Sequence, residues 1–142
     1  MIILQQGSSN QAIATCSRNK NLSGTVYYLW TIRHKLSNQS WQFLPYRVVP
    51  ITSYNPSYDL FDIDIYLNQP QVLTGTSVNP VNLHLIPGEY YLKIYEQSSS
   101  TNLNPSLAYD VVYEGTITVN PQVPIDEVSY TGTSDVFIVY NG

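Results

Sequence analysis

Along most of this chain an apolar side chain returns at every second residue, a period that suits a pleated strand and no helix. The pattern is clearest in 60–67, where Phe61, Ile63, Ile65 and Leu67 fall on one side and Asp62 and Asp64 on the other. One side of that strand must meet water, as in an antiparallel sheet packed on a single face. In 25–33, Val26, Tyr28, Trp30 and Ile32 alternate with Tyr27, Leu29, Thr31 and Arg33. This strand is expected to be buried on one side and partly covered on the other. The same pattern places strands at 2–6, 11–16, 41–49, 81–85, 89–97, 110–119, 127–130 and 135–140. No longer stretch carries a 3.6-residue apolar period, so helix is expected to be close to nil apart from one short turn at Pro105-Ser106-Leu107-Ala108.

Turn chemistry separates these runs. Pro87-Gly88 is expected to fold 81–85 back on 89–97 as a hairpin, and Gly132 to do the same near the carboxyl end. Residues 19–24 and 98–105 are loops by composition. Many short strands at regular spacing indicate an all-β, antiparallel two-sheet sandwich, Ig-like or jelly-roll-like. A small β-barrel is the alternative that periodicity leaves open. The 142 residues suit a single domain, 1–142, closed over one core. That core is expected to hold Trp30, Ile32, Phe61, Ile63, Ile65, Leu83, Leu85, Leu92, Ile94, Val112, Ile117, Val119, Phe137 and Val139.

Composition then narrows the function. Charged residues make up 11% of the chain, against roughly 25% in ordinary soluble domains. Ser, Thr, Asn, Gln and Tyr must therefore cover the surface, which suits a protein whose exterior docks on partners. Thirteen tyrosines fit that reading, because Tyr brings contact area and a hydrogen bond at low entropic cost. They equally suit strands, where tyrosine is favoured. A net charge of −4 with no cluster of Lys or Arg argues against a nucleic-acid partner. No apolar run approaches the ~20 residues that cross a bilayer, so no membrane partner is expected. The lone Cys16 cannot close an internal disulfide and is expected to be reduced and buried. Without a basic, apolar leader at Met1-Ile2-Ile3-Leu4, the chain is expected to stay in a cytoplasm unless it leaves within a larger particle.

The stock of chemistry is poor. His34 and His84 lie in no motif that pairs them with a nucleophile or a metal. Asp59, Asp62 and Asp64 are close enough in sequence to suggest a calcium ion, but Asp62 and Asp64 would stand ~7 Å apart on one strand, and a solvated, mutually repelling face is the simpler reading. Glu96 and Glu114 could serve as a glycosidase pair only if the fold brought them together, and acidic residues on two exposed strands explain them as well. No catalytic residue, cofactor or metal is expected. Exposed aromatics, Trp41, Tyr54, Tyr58 and Tyr109, could stack on sugars or anchor a protein interface.

One stretch carries a resemblance. Pro87-Gly88-Glu89-Tyr90-Tyr91-Leu92-Lys93-Ile94-Tyr95-Glu96-Gln97 leads through a Ser-rich loop to Asn102-Leu103-Asn104-Pro105, and then to Val112-Tyr113-Glu114-Gly115. With Leu22-Ser23-Gly24-Thr25-Val26-Tyr27-Tyr28-Leu29 near the start and Phe137-Ile138-Val139-Tyr140 near the end, this resembles small virion proteins of tailed phages of the crAss-like type. Residues 41–79 depart from that pattern.

The resemblance implies a non-enzymatic structural protein, most simply a capsid auxiliary or decoration protein bound to the shell. A ring protein of the portal–tail neck is the alternative within the same particle. It further implies a location in the virion after synthesis in the host cytoplasm, and capsid, portal or neck proteins as partners. The chain is then expected as repeated copies or a homo-oligomer. Interface residues expected on this reading are Ile2, Ile3, Leu4, Trp41, Tyr54, Tyr58, Tyr109, Phe137 and Tyr140. The 2–6 strand, which can add to a neighbour's sheet, and the carboxyl-terminal strand are expected to contribute to intersubunit contacts, so that deleting residues 1–6 stops particle incorporation and leaves the fold largely intact. A carbohydrate-binding sandwich using Trp41 is the reading of another class, and an enzyme is the third.

Overall fold

The structure is a computed structural model that describes residues 1–48 and 58–122. Nine strands run through these residues: β1 (Ile2–Gln5), β2 (Ser8–Ala14), β3 (Tyr27–His34), β4 (Ser40–Phe43), β5 (Tyr46–Val48), β6 (Asp59–Ile65), β7 (Val81–Asn82), β8 (Gly88–Gln97) and β9 (Asp110–Asn120). They form a five-stranded sheet in the order β1-β9-β8-β3-β4 and a four-stranded sheet in which β2 and β5 flank β6 and β7 joins β6. Pairing is antiparallel except where β1 lies parallel to β9 and β7 parallel to β6. The two sheets close over one apolar cluster, so the fold is the two-sheet sandwich that the alternation predicts.

The twelve expected core residues from Trp30 to Val119 are all buried, while Phe137 and Val139, like the strands expected at 127–130 and 135–140 and the turn at Gly132, lie outside the described residues. Trp30 sits at the centre with its ring 5.7 Å from Phe43 and 5.1 Å from Phe61, bridging both sheets. Cys16 is fully buried. The turn expected at 105–108 forms as a 3-10 turn, Pro105–Leu107, capped by the Asn104 side chain, which accepts from Ser106 N–H.

Three expectations are corrected. The 41–49 strand is two strands, because the chain leaves the first sheet at Leu44-Pro45 and enters the second at Tyr46. Pro45 has no N–H for a ladder, and Leu44 N–H donates instead to Leu73 O at 2.7 Å. The hairpin expected at Pro87-Gly88 does not form: of 81–85 only Val81–Asn82 form a strand, β7, which pairs with β6, and β8 pairs with β3 and β9 in the other sheet. Buried Asn82 causes this, since its amide donates to Tyr66 O and Pro70 O and its carbonyl accepts from Tyr66 N–H, fastening the segment to the end of β6. Pro87-Gly88 is the crossover between sheets, and Gly88 has a φ of 137° that a side chain rarely adopts. Leu67, expected beside Phe61, Ile63 and Ile65, is 53% exposed because β6 ends at Ile65 and the chain turns.

Candidate interaction surface

The acidic residues singled out from the sequence are dispersed by the fold. Asp59 is buried on the core side of β6, where it accepts from the backbone N–H groups of Cys16 and Ser17 at 3.0 and 2.8 Å and from Arg47 Nη1 at 3.0 Å. Asp62 and Asp64 stand on the opposite, outer face. Asp62 accepts from Gln11 Nε2. Burial pushes the Asp64 carboxyl up from its ordinary value, with the Ser9 hydroxyl opposing and the Asp62 charge adding to the rise. Among the described residues no group of His, Cys, Asp and Glu could hold a metal ion.

Glu96 is corrected from an exposed strand position to a fully buried one, on the inner side of β8 with Leu92 and Ile94. Its carboxylate receives the backbone N–H of Asn21 and of Leu22, each at 2.9 Å, and so fixes the loop before β3. Glu114 is exposed and lies opposite Lys93 on the outer face of the same sheet. The two carboxyls thus point to opposite faces and do not form a catalytic pair.

The neighbouring Gln97 ties down the Ser-rich loop, donating to Ser99 O and Asn102 O and accepting from the Asn102 amide at 2.8 Å. The stretch that carries the resemblance, Glu96-Gln97 with Asn102 and Asn104, is therefore a set of loop anchors.

His34 is buried against Gly88 and Tyr90, with Nδ1 bonded to Ser37. His84 bonds to Gln69 O. A cleft of about 550 Å³ opens at the start of β3 beside Pro45, Tyr46 and Arg47. Its described lining combines Tyr27, Tyr28 and Tyr46 with the hydroxyls of Thr74, Thr76 and Ser77, and includes no carboxylate, imidazole or thiol. The Tyr28 phenol is pushed up to about 12, by burial first and the Asp59 charge second, so at neutral pH it is a hydrogen-bond donor rather than a base.

The expected interface residues separate by burial. Ile2 and Leu4 belong to the core, and of the first strand only Ile3 projects outward, 58% exposed. Deleting residues 1–6 would remove core side chains, so the expectation that the fold survives this truncation is corrected. Trp41 is half-buried, packed on the core with its ring 5.7 Å from Tyr90, and is no open stacking platform. Tyr58 and Tyr109 are exposed, whereas Tyr54, Phe137 and Tyr140 lie outside the described residues. Sequence reading missed Tyr91, exposed on the outer face with Arg33 and Lys35 each about 5 Å from its ring centre, and Ile13, 53% exposed on β2.

At the flank where β1 and β2 meet, two strands present backbone edges that differ in how they are covered. β1 offers little, because the Asn10 side chain accepts from Gln5 N–H and donates to Gln5 O, closing that end of its outer edge. β2 differs. All seven of its residues, Ser8-Ser9-Asn10-Gln11-Ala12-Ile13-Ala14, pair with β6, and no described strand pairs with its other edge. It has no charge, no proline and no bulge, the devices that ordinarily protect an edge strand. No family model, curated protein or solved structure matches the chain.

Proposed function

We propose that this chain is a non-enzymatic structural protein of a phage virion, an auxiliary or decoration protein that binds the shell through protein contacts. The single observation that supports a docking role is the uncharged seven-residue edge of β2, covered by no described strand and lying beside exposed Ile13 and Ile3. The buried acids, engaged in holding loops, and the low charge of the surface fit the same role. The virion setting rests on the resemblance of the Ile94–Pro105 stretch. A ring at the portal–tail neck would use the same flank at another position in the particle.

Purified full-length chain mixed with particles assembled without it should co-sediment with them, and a reconstruction should place its density on the shell. Density confined to the neck would move the role to the ring, and no sedimentation with particles would end the proposal. The cleft favours one competing reading, binding of a carbohydrate by Tyr27, Tyr46 and the surrounding hydroxyls. Sugar titration that saturates with the native chain and disappears in Tyr46→Ala would promote it.

A further inference from the structure

Three walls of the cleft at the start of β3 are pinned by the fold. On one side Leu44 N–H donates to Leu73 O at 2.7 Å and Gly75 N–H donates to Leu44 O at 2.9 Å, which fastens 73–75 to the place where the chain crosses between sheets. Gly75 is packed against β7 so closely that a Cβ there would stand 2.7 Å from Val81 N. On a second side Ser100 belongs to the loop that Gln97 ties down through Ser99 O and Asn102 O. Tyr28 forms the third, buried and edge-on to Phe61 with 6.0 Å between ring centres. A cleft of about 550 Å³ with walls so fixed falls within the roughly 300–1,000 Å³ of sites that hold small molecules.

Its charge is one-sided. Among the described residues that line it, Arg47 alone is charged. Asp59 lies behind, its side chain 2% exposed against 39% for Arg47, and holds the guanidinium through Nη1 at 3.0 Å. That carboxylate also accepts the backbone N–H groups of Cys16 and Ser17, so Arg47 is one of three donors that compensate it. The pair uses one of the five guanidinium N–H groups, which orients Arg47 without exhausting it, and the planar fork suits a second carboxylate arriving from the cleft.

The remaining lining is aromatic and hydroxylic. Tyr27, Tyr28 and Tyr46 bring ring area, and Thr74, Thr76 and Ser77 bring hydroxyls that both donate and accept. A hydroxylated ring bearing one carboxylate answers the phenols, the hydroxyls and the cation together. A neutral sugar leaves the cation unanswered, and an aromatic acid leaves the hydroxyls so.

We infer that the cleft binds an acidic sugar, a hexuronate whose carboxylate pairs with Arg47 while its ring lies among the three tyrosines. The inference rests on the carbohydrate reading of the cleft and adds the charge of the ligand and the residue that selects it.

Titration of the full-length chain, followed by heteronuclear NMR, tests it with D-galacturonate and D-glucuronate, each set against its methyl ester and its neutral hexose, rings that differ at C6 alone. At least one of the two acids should bind roughly tenfold or more tightly than its neutral counterparts, with the gap narrowing at high salt. Arg47→Gln should abolish that preference, and Tyr46→Ala should weaken acid and neutral sugars alike. Equal losses for acid and neutral sugars in Arg47→Gln would mark the residue as structural and overturn the inference. Acid and neutral sugars bound equally by the native chain would overturn it and leave the carbohydrate reading standing, whereas no saturation by any of them ends both. Benzoate bound as tightly as the acids would overturn it as well, since recognition would then need no sugar ring.

Discussion

A carboxylate sealed away from water needs compensation, and Glu96 finds it in the N–H groups of Asn21 and Leu22. Glu96→Gln keeps the shape and removes the charge that strengthens those bonds, so it should cost about 1–3 kcal/mol in urea unfolding. Glu114→Gln, on the exposed face, should stay within about 0.5 kcal/mol. Equal effects of the two would contradict the assignment. Asp64 makes a prediction about pH. Its folded pKa is raised by burial, so the folded chain holds this proton more tightly than the unfolded chain does. The contribution to stability is full below the unfolded value and is lost as pH rises through the raised folded value. Asp64→Asn should therefore raise the urea midpoint at neutral pH, and this gain should vanish well below the ordinary carboxylate range. Residue type alone marked Asp59, Asp64 and Glu96 as candidates; which of them is sealed and which half-open follows from burial, which no single position carries.

At the scale of elements, β1 joins two roles. Its alternating side chains place Ile2 and Leu4 in the core and Ile3 in water. Leu4→Ala should cost about 2–5 kcal/mol by loss of apolar contact and the cavity left behind. Ile3→Ala should change stability by less than about 0.5 kcal/mol, and urea unfolding of the two variants checks the pair. The strand's backbone is parallel to β9 and covers only Ile117–Asn120 of it. Asn10 closes the far side at Gln5, whereas no described strand covers the outer edge of β2. Period-two reading located β1, β3, β6, β8 and β9 well, because each of those strands has one apolar face. It failed at 41–49 and at 81–85. In 41–49 the alternation continues across a change of sheet, and a side chain contributes the same apolar pattern to either layer of a sandwich, whereas at 81–85 only Val81–Asn82 form a strand, fastened to β6.

For the whole molecule, one cluster spans both sheets, with Trp30 touching Phe43 in its own sheet and Phe61 in the other. Such a core fixes the body, and at its margins lie the cleft at the start of β3, exposed Tyr91 and the edge of β2 that no described strand covers. By itself the sequence determined the class of fold, most of the buried set and the scarcity of charge, because these follow from local alternation and composition. Only the tertiary structure decided which strands pair, that Glu96 and Glu114 face apart, and that no described strand covers the outer edge of β2. Strand pairing is a long-range choice made by side chains such as Asn82 and Asn10, whose bonding partners are set by the path of the chain through space.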